Sequence, residues 1–260
     1  FQAEDGIRDC LLSRGLGDVY KRQIILYVDD AGIAAPNEES INELVEELRN
    51  EGFDLEMEGD FTEYLGIGIE HRDDGSVCMT QKGLIEKIIA TAKMQGCKPN
   101  KTPTVLTALG SDAEGKPWDQ NHWDYASIVG MLLYVSNNTR PDITFAVSQV
   151  ARYTACPKES HARAIKCIIR YLAGTINRGV IMKHDDTFDL KVWADSDFAG
   201  TYGQEPSGNA KAVKSRYGYV ITFGGAPLVW KSQLISEICL STTHAEYVGL
   251  SNSVRALIPI

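Results

Sequence analysis

Long apolar runs are what this sequence most plainly lacks. Its 260 residues are 43% hydrophobic, yet no stretch approaches the roughly eighteen consecutive apolar residues that a membrane-spanning helix needs. The opening residues also lack the charged-then-apolar layout of a secretory signal. These two absences predict a soluble intracellular protein with no membrane partner. Cysteine is sparse and unpaired in pattern: Cys10, Cys78, Cys97, Cys156, Cys167 and Cys239 form no C-x-x-C. That excludes a zinc ribbon and a disulfide framework, and leaves small reduced core residues. The five histidines make no H-E-x-x-H, so a zinc-hydrolase site cannot be built locally and any metal should be held by oxygen. No G-x-S-x-G elbow is present either, which disfavours a serine hydrolase that would use His244.

Positive charge is scarce overall, with a formal net charge of -9. The average hides a segregation along the chain. Residues 38–74 carry fourteen acids against Arg49 and Arg72, whereas residues 76–111 carry five lysines against Glu86 alone. Residues 140–183 set eight bases against Asp142 and Glu159. Such basic blocks can neutralise phosphates and release counterions whatever the whole-chain sum, although a solvated charged face is the plainer alternative for any one lysine.

What is present alternates between two periods. "FQAEDGIRDCLLSRGLGDVYKRQ" (1–23) has neither; its last six residues resemble a translated frame of the transposase end sequence joined to DNA in sequencing libraries. It reads as an adapter-derived or disordered tail that belongs to no fold. "IILYVDDAGIAAP" reads as strand, tight acidic turn and strand. Asn37 then caps a helix with Ile41, Leu44, Val45 and Leu48 inward, ended by Gly52. Two strands are expected around Asp74-Gly75, a helix over residues 82–94, and an extended proline- and glycine-rich linker over residues 97–119. Helices follow over residues 125–135, from Pro141, and over residues 160–172 with Gly174 closing the last. Three strands (190–198, "RYGYVITF", "LVWKSQ") precede a helix from about Thr243 with Tyr247, Leu250, Val254 and Leu257 on one face. The fold class is therefore α+β or α/β.

Two adjacent aspartates on a hairpin tip suit magnesium, which prefers carboxylate oxygen, but Asp-Asp at a turn is more often plain turn chemistry. The surroundings carry more. "YVDD" followed by "YLGIGIEHRDDGSVCMTQKGLIEKIIATAKMQGCKPNKTPT" resembles the palm and thumb of the reverse transcriptase of Ty1/copia-type LTR retrotransposons. "YASIVGMLLYVSNNTRPDITFAVSQVARYTACPKESHARAIKCIIRYLAGT" is similar to the segment joining polymerase to ribonuclease H in that family, and "WADSDFAG", "KSRYGYVITFGGAPLVWKSQ" and "STTHAEY" resemble its ribonuclease H.

The resemblance implies a partial palm over residues 24–80, a mostly helical thumb and connection over 81–185, and an incomplete ribonuclease H-like domain over 186–260. It makes Asp29 and Asp30 metal-binding catalytic aspartates, with Tyr27 and Val28 against the primer end and template. It makes Asp195 and Glu246 the first two ribonuclease H carboxylates. Strand alternation puts Asp197 on the face of Asp195, so Asp197 stays open as the ligand. For Glu246 a capping box from Thr243 is the competing role. The implied cofactor is Mg²⁺, two ions per complete site, with Mn²⁺ an alternative. The implied partners are an RNA template, a DNA primer, RNA/DNA hybrid, deoxynucleoside triphosphates and the rest of the polyprotein: protease, integrase, upstream palm and fingers. The implied location is cytoplasmic, within virus-like particles, with access to the nucleus.

The basic stripe Arg163, Lys166 and Arg170, with Arg152 and Arg178, is the candidate contact for hybrid phosphates, which position without reading sequence. The four tryptophans read as core or loop anchors rather than stacking platforms. The chain is expected to be inactive by itself, because the family's remaining carboxylates lie outside it. A degenerate copy that retains only hybrid binding is the alternative function.

Overall fold

Both periods appear as drawn in a computed structural model that describes residues 22–28, 30–104, 109–183, 189–203 and 210–260. The suspected tail over residues 1–23 lies outside the described residues up to residue 21. The chain divides into two compact units, Phe1–Tyr64 and Leu65–Ile260. No helix among the described residues is long and apolar enough to cross a membrane.

In the first unit, β1 (Gln23–Tyr27) pairs antiparallel with β2 (Asp30–Ala34). Helix α1 (Glu38–Asn50) follows, with the Asn37 carboxamide accepting from the Ser40 N–H at 2.8 Å. Val45 is buried while Ile41, Leu44 and Leu48 are half-buried, as the stripe requires. The outer face is acidic, and Arg22 bridges Glu43 and Glu47. β3 (Glu63–Tyr64) ends the unit.

The second unit opens with β4 (Ile67–His71) and β5 (Val77–Thr80), antiparallel around Asp74-Gly75. Gly75 takes φ 76°, a left-handed value that glycine adopts without strain. Helix α2 (Lys82–Thr91) ends three residues earlier than the spacing predicts, because Lys93 turns left-handed at φ 55°. The described parts of the linker, residues 97–104 and 109–119, then run irregularly, as expected, but the later part is pinned. His161 Nε2–H donates to the Gly110 carbonyl at 2.9 Å while His161 Nδ1 accepts from the Lys158 N–H at 3.0 Å.

Helices α3 (Tyr125–Asn138), α4 (Thr144–Ala151, entered through a 3₁₀ turn at Pro141–Ile143) and α5 (Glu159–Gly174) complete a helical layer. Ile85, Ile88, Ile128, Leu132, Val147, Ile165 and Leu172 form its core, each fully buried or nearly so. Gly174 is the last helical residue rather than the one beyond it. It is kept small by Pro99, whose Cβ would lie 2.8 Å from an added Cβ. β6 (Val180–Met182) returns to pair with β5, a strand the sequence pattern did not announce.

A meander of β7 (Leu190–Asp197), β8 (Arg216–Phe223) and β9 (Ala226–Leu234) follows, with α6 (Thr242–Leu257) packed across β7 and β8. The helix contact departs from expectation. Tyr247, Leu250 and Val254 are 70%, 53% and 42% exposed, and the buried face is Ala245, Gly249 and Ser253. Small residues let α6 lie close on the sheet, where larger apolar side chains would hold it away. The architecture is thus mixed α and β.

Candidate functional site

The acidic hairpin closes through a two-residue loop, since Tyr27 and Asp30 face each other in register. Val28 occupies the first loop position at φ 52° and is 78% exposed. Tight hairpins of this kind need a positive φ there, and for a β-branched residue it costs on the order of 1 kcal/mol or more. Asp30 and Tyr27 are exposed beside it, whereas Asp29 lies outside the described residues. The side chains of Ile24, Ile25 and Leu26 are also about half exposed or more.

In the second unit, Asp195 and Asp197 occupy one face of β7. Their neighbour Ser196 occupies the other, under α6: a Cβ added at Gly249 would overlap Ser196 Oγ. The two aspartates differ in what they do. Asp197 Oδ1 accepts from the Arg216 backbone N–H at 2.5 Å, closing the end of the β7–β8 ladder. Asp195 is exposed opposite Gly218.

Glu246 is exposed on α6, one turn before Gly249. The capping box expected from Thr243 is replaced by a cap two residues earlier, at Ser241. Ser241 Oγ accepts from the His244 N–H at 3.1 Å, and His244 Nδ1 accepts from the Leu240 N–H at 3.3 Å. Glu246 therefore has no part in the cap, and His244 has a structural role.

The basic residues divide likewise. Arg163 is exposed on α5. Arg170 Nε donates to the Lys98 carbonyl at 2.6 Å, and Lys166 Nζ lies 5.4 Å from the centre of the Trp118 ring. Arg178 reaches the Tyr171 hydroxyl at 3.4 Å, and Arg152 donates to Gln149 at 3.3 Å and lies over Tyr153. Trp118, Trp123 and Trp230 are anchors, Trp230 through its Nε1–H to the Ser136 carbonyl at 2.7 Å. Trp193 is 65% exposed on the face of Asp195.

A magnesium ion needs several oxygen donors around one point. Among the described residues no group of three or more His, Cys, Asp or Glu is placed to hold a metal ion. The described carboxylates therefore do not compose a metal site by themselves. Arg216 is the residue whose environment the sequence least suggests: in "KSRYGYV" it reads as an ordinary strand start, yet it is 7% exposed.

Comparison with known proteins follows the same outline. Residues 1–106 match the family described as reverse transcriptase (RNA-dependent DNA polymerase), a match that includes the first 23 residues. The chain is 31% identical to the retrovirus-related Pol polyprotein from transposon RE1 of Arabidopsis thaliana, over 94% of this chain and 16% of that protein. It is also 31% identical to the retrovirus-related Pol polyprotein from transposon TNT 1-94 of Nicotiana tabacum, over 90% and 17% respectively. A putative transposon Ty5-1 protein of Saccharomyces cerevisiae is 26% identical over 93% of this chain and 74% of its own length. The chain thus spans about one sixth of the two plant polyproteins. No solved structure matches. With a reverse transcriptase match over the acidic hairpin and Pol relatives along nearly the whole length, the chain belongs to the reverse transcriptase family of copia-type retrotransposon Pol polyproteins.

Proposed function

We propose that the chain supplies the end of an RNA-directed DNA polymerase palm, its thumb and connection, and the opening of a ribonuclease H-like domain. The parent enzyme copies RNA into DNA by adding deoxynucleotides to a primer 3′ hydroxyl, and cuts RNA in the resulting hybrid. The observation that carries the reading is the Tyr27–Asp30 hairpin, which leaves Asp30 exposed at the start of β2 within the reverse transcriptase match. The three-stranded meander followed by α6 supports the ribonuclease H part, with Asp195 and Glu246 as its carboxylates.

In this reading Asp29 and Asp30 act at the primer end, with Tyr27 and Val28 against the primer and template. Magnesium is the cofactor of both centres. The remaining Pol regions are the partners, and the setting is a cytoplasmic virus-like particle. The test replaces the matching segment of the tobacco Pol polyprotein with this chain and measures RNA-templated primer extension. Extension that Asp29→Asn together with Asp30→Asn abolishes is the expected result. Extension unaffected by the two substitutions would overturn the polymerase assignment.

A further inference from the structure

Trp193 stands apart from the other tryptophans. Trp118 and Trp230 each donate an indole N–H to a carbonyl, and Trp123 packs its ring against Trp118. Trp193 is 65% exposed and, among the described residues, has neither a hydrogen bond nor a ring partner. One exposed apolar side chain is ordinary on a protein surface. The surroundings of this one are not.

β7 is an edge of the sheet, and alternation puts Lys191, Trp193, Asp195 and Asp197 on the face away from α6. The helical layer covers that face from the β8 and β9 side. Trp230 on β9 reaches the Ser136 carbonyl at 2.7 Å, and Arg216 Nη1, at the start of β8, reaches the Ser148 hydroxyl at 2.8 Å. Trp193 and Asp195 stay exposed on the edge strand. Charged residues flank the indole along β7, so this is not the apolar patch that buries against a protein partner.

Register supplies a second observation. Gly218 lies directly opposite Asp195. A Cβ added there would come no closer than 3.4 Å to a neighbouring atom, the Lys231 carbonyl oxygen, which is ordinary contact, and Gly218 is not among the residues of positive φ. Neither packing nor backbone conformation therefore requires the glycine, although glycine weakens a strand interior. Its missing side chain leaves a notch beside Asp195, with Trp193 about 7 Å along the strand. Glycine within a strand marks places where a ligand approaches the backbone closely.

We propose that Trp193 is a nucleotide platform: its indole packs against a sugar or base of an RNA strand while the Gly218 notch admits that strand's backbone to Asp195. The proposal rests on the reading that the chain binds RNA/DNA hybrid with Asp195 as a ribonuclease H carboxylate. An indole suits the contact, because every base has a π-face and stacking demands no particular sequence. Trp193 is then a positioning residue for the strand that Asp195 acts on.

The test measures binding of a short RNA/DNA hybrid to the full chain, with acrylamide quenching of tryptophan fluorescence as a second readout. Trp193→Ala should weaken binding about tenfold, the size of one lost base–aromatic stack, and leave the salt slope and Tm unchanged, because no phosphate contact and no buried contact is removed. Trp193→Phe keeps a ring and should recover most of the affinity. Gly218→Ala, for which the fold has room, should weaken binding without lowering Tm. Hybrid should also shield a quenchable indole in the wild-type chain that Trp193→Phe lacks. Wild-type affinity in folded Trp193→Ala would overturn the platform, and if that variant does not fold, the shielding decides by itself. A wild-type chain that does not bind hybrid defeats the hybrid reading, and the platform with it. Shielding that follows the concentration of the chain rather than of hybrid assigns the indole to a contact between copies and overturns the proposal as well.

Discussion

Arg140 and Asp142 are joined by a two-point ion pair inside the helical layer. Arg140 Nε donates to Asp142 Oδ1 at 2.9 Å and Nη2 to Oδ2 at 2.8 Å. The arginine is 1% exposed, and its Nη1 also donates to the Thr175 carbonyl at 3.0 Å, tying the 3₁₀ turn to the end of α5. Tyr171 adds its hydroxyl to Asp142 Oδ2 at 2.6 Å. Arg140 thus leaves the basic block in which composition had counted it, and serves the fold.

Removing Asp142 would strand that guanidinium. Asp142→Ala should destabilise the second unit by about 3 kcal/mol or more, the penalty of leaving a buried charge unpaired. Urea unfolding followed by tryptophan fluorescence measures it. A loss no larger than that of an exposed control aspartate would mean that the pair is incidental.

The same carboxylate sets an acid limit. Burial alone would raise its pKa, but the hydrogen bonds from Arg140 and Tyr171 and the Arg140 charge outweigh burial and hold it below the ordinary range. A depressed folded pKa contributes stability above the unfolded value, about 3.9, and loses it as pH falls through the folded value. Asp74, held low by the Ser76 hydroxyl and by Lys183, acts in the same direction. Stability from these two groups should stay flat from neutrality to about pH 4 and fall below it. Asp142→Asn should make the acid limb shallower, as unfolding free energy against pH reports.

At the α6 seat, Gly249→Ala should lower stability although alanine is the better helix former by about 1 kcal/mol. The added methyl meets Ser196 Oγ, and overpacking of this kind costs about 1–3 kcal/mol. Ser196 Oγ is buried without a partner among the described residues, so Ser196→Ala by itself should cost little. The double variant should recover most of the loss. A thermal-unfolding cycle showing simple additivity would rule out the contact as the cause.

Asp195 and Asp197 should separate by phenotype. Asp197→Ala loses the acceptor for the Arg216 N–H and should cost about 1–2 kcal/mol of stability. Asp195→Ala, at an exposed position, should leave unfolding unchanged while removing hybrid cleavage in a polyprotein that carries this segment. Equal losses of stability would contradict the division of roles.

The basic stripe should divide in the same manner. Arg163→Ala should weaken hybrid binding and flatten its salt slope by about one, with stability unchanged. Arg170→Ala should instead lower stability by about 1 kcal/mol, because its Nε–H serves the Lys98 carbonyl. Filter binding and denaturant unfolding of both variants, measured side by side, would show whether the stripe acts as one surface.

Much was legible from the sequence by itself. Alternation located "RYGYVITF" as β8 residue for residue, and the Ile41-Leu44-Val45-Leu48 spacing gave the buried side of α1, because a period is a local property of the chain. The acidic hairpin and the family likeness were legible for the same reason, as contiguous motifs. Tertiary structure decided what depends on residues far apart. It buried Arg140 and Arg216, turned Tyr247, Leu250 and Val254 outward, and gave Asp197 to a backbone amide while leaving Asp195 exposed. A side chain's charge is written in the sequence, but its partner and its access to water are set only when distant elements pack, and those two quantities divide structural charges from functional ones.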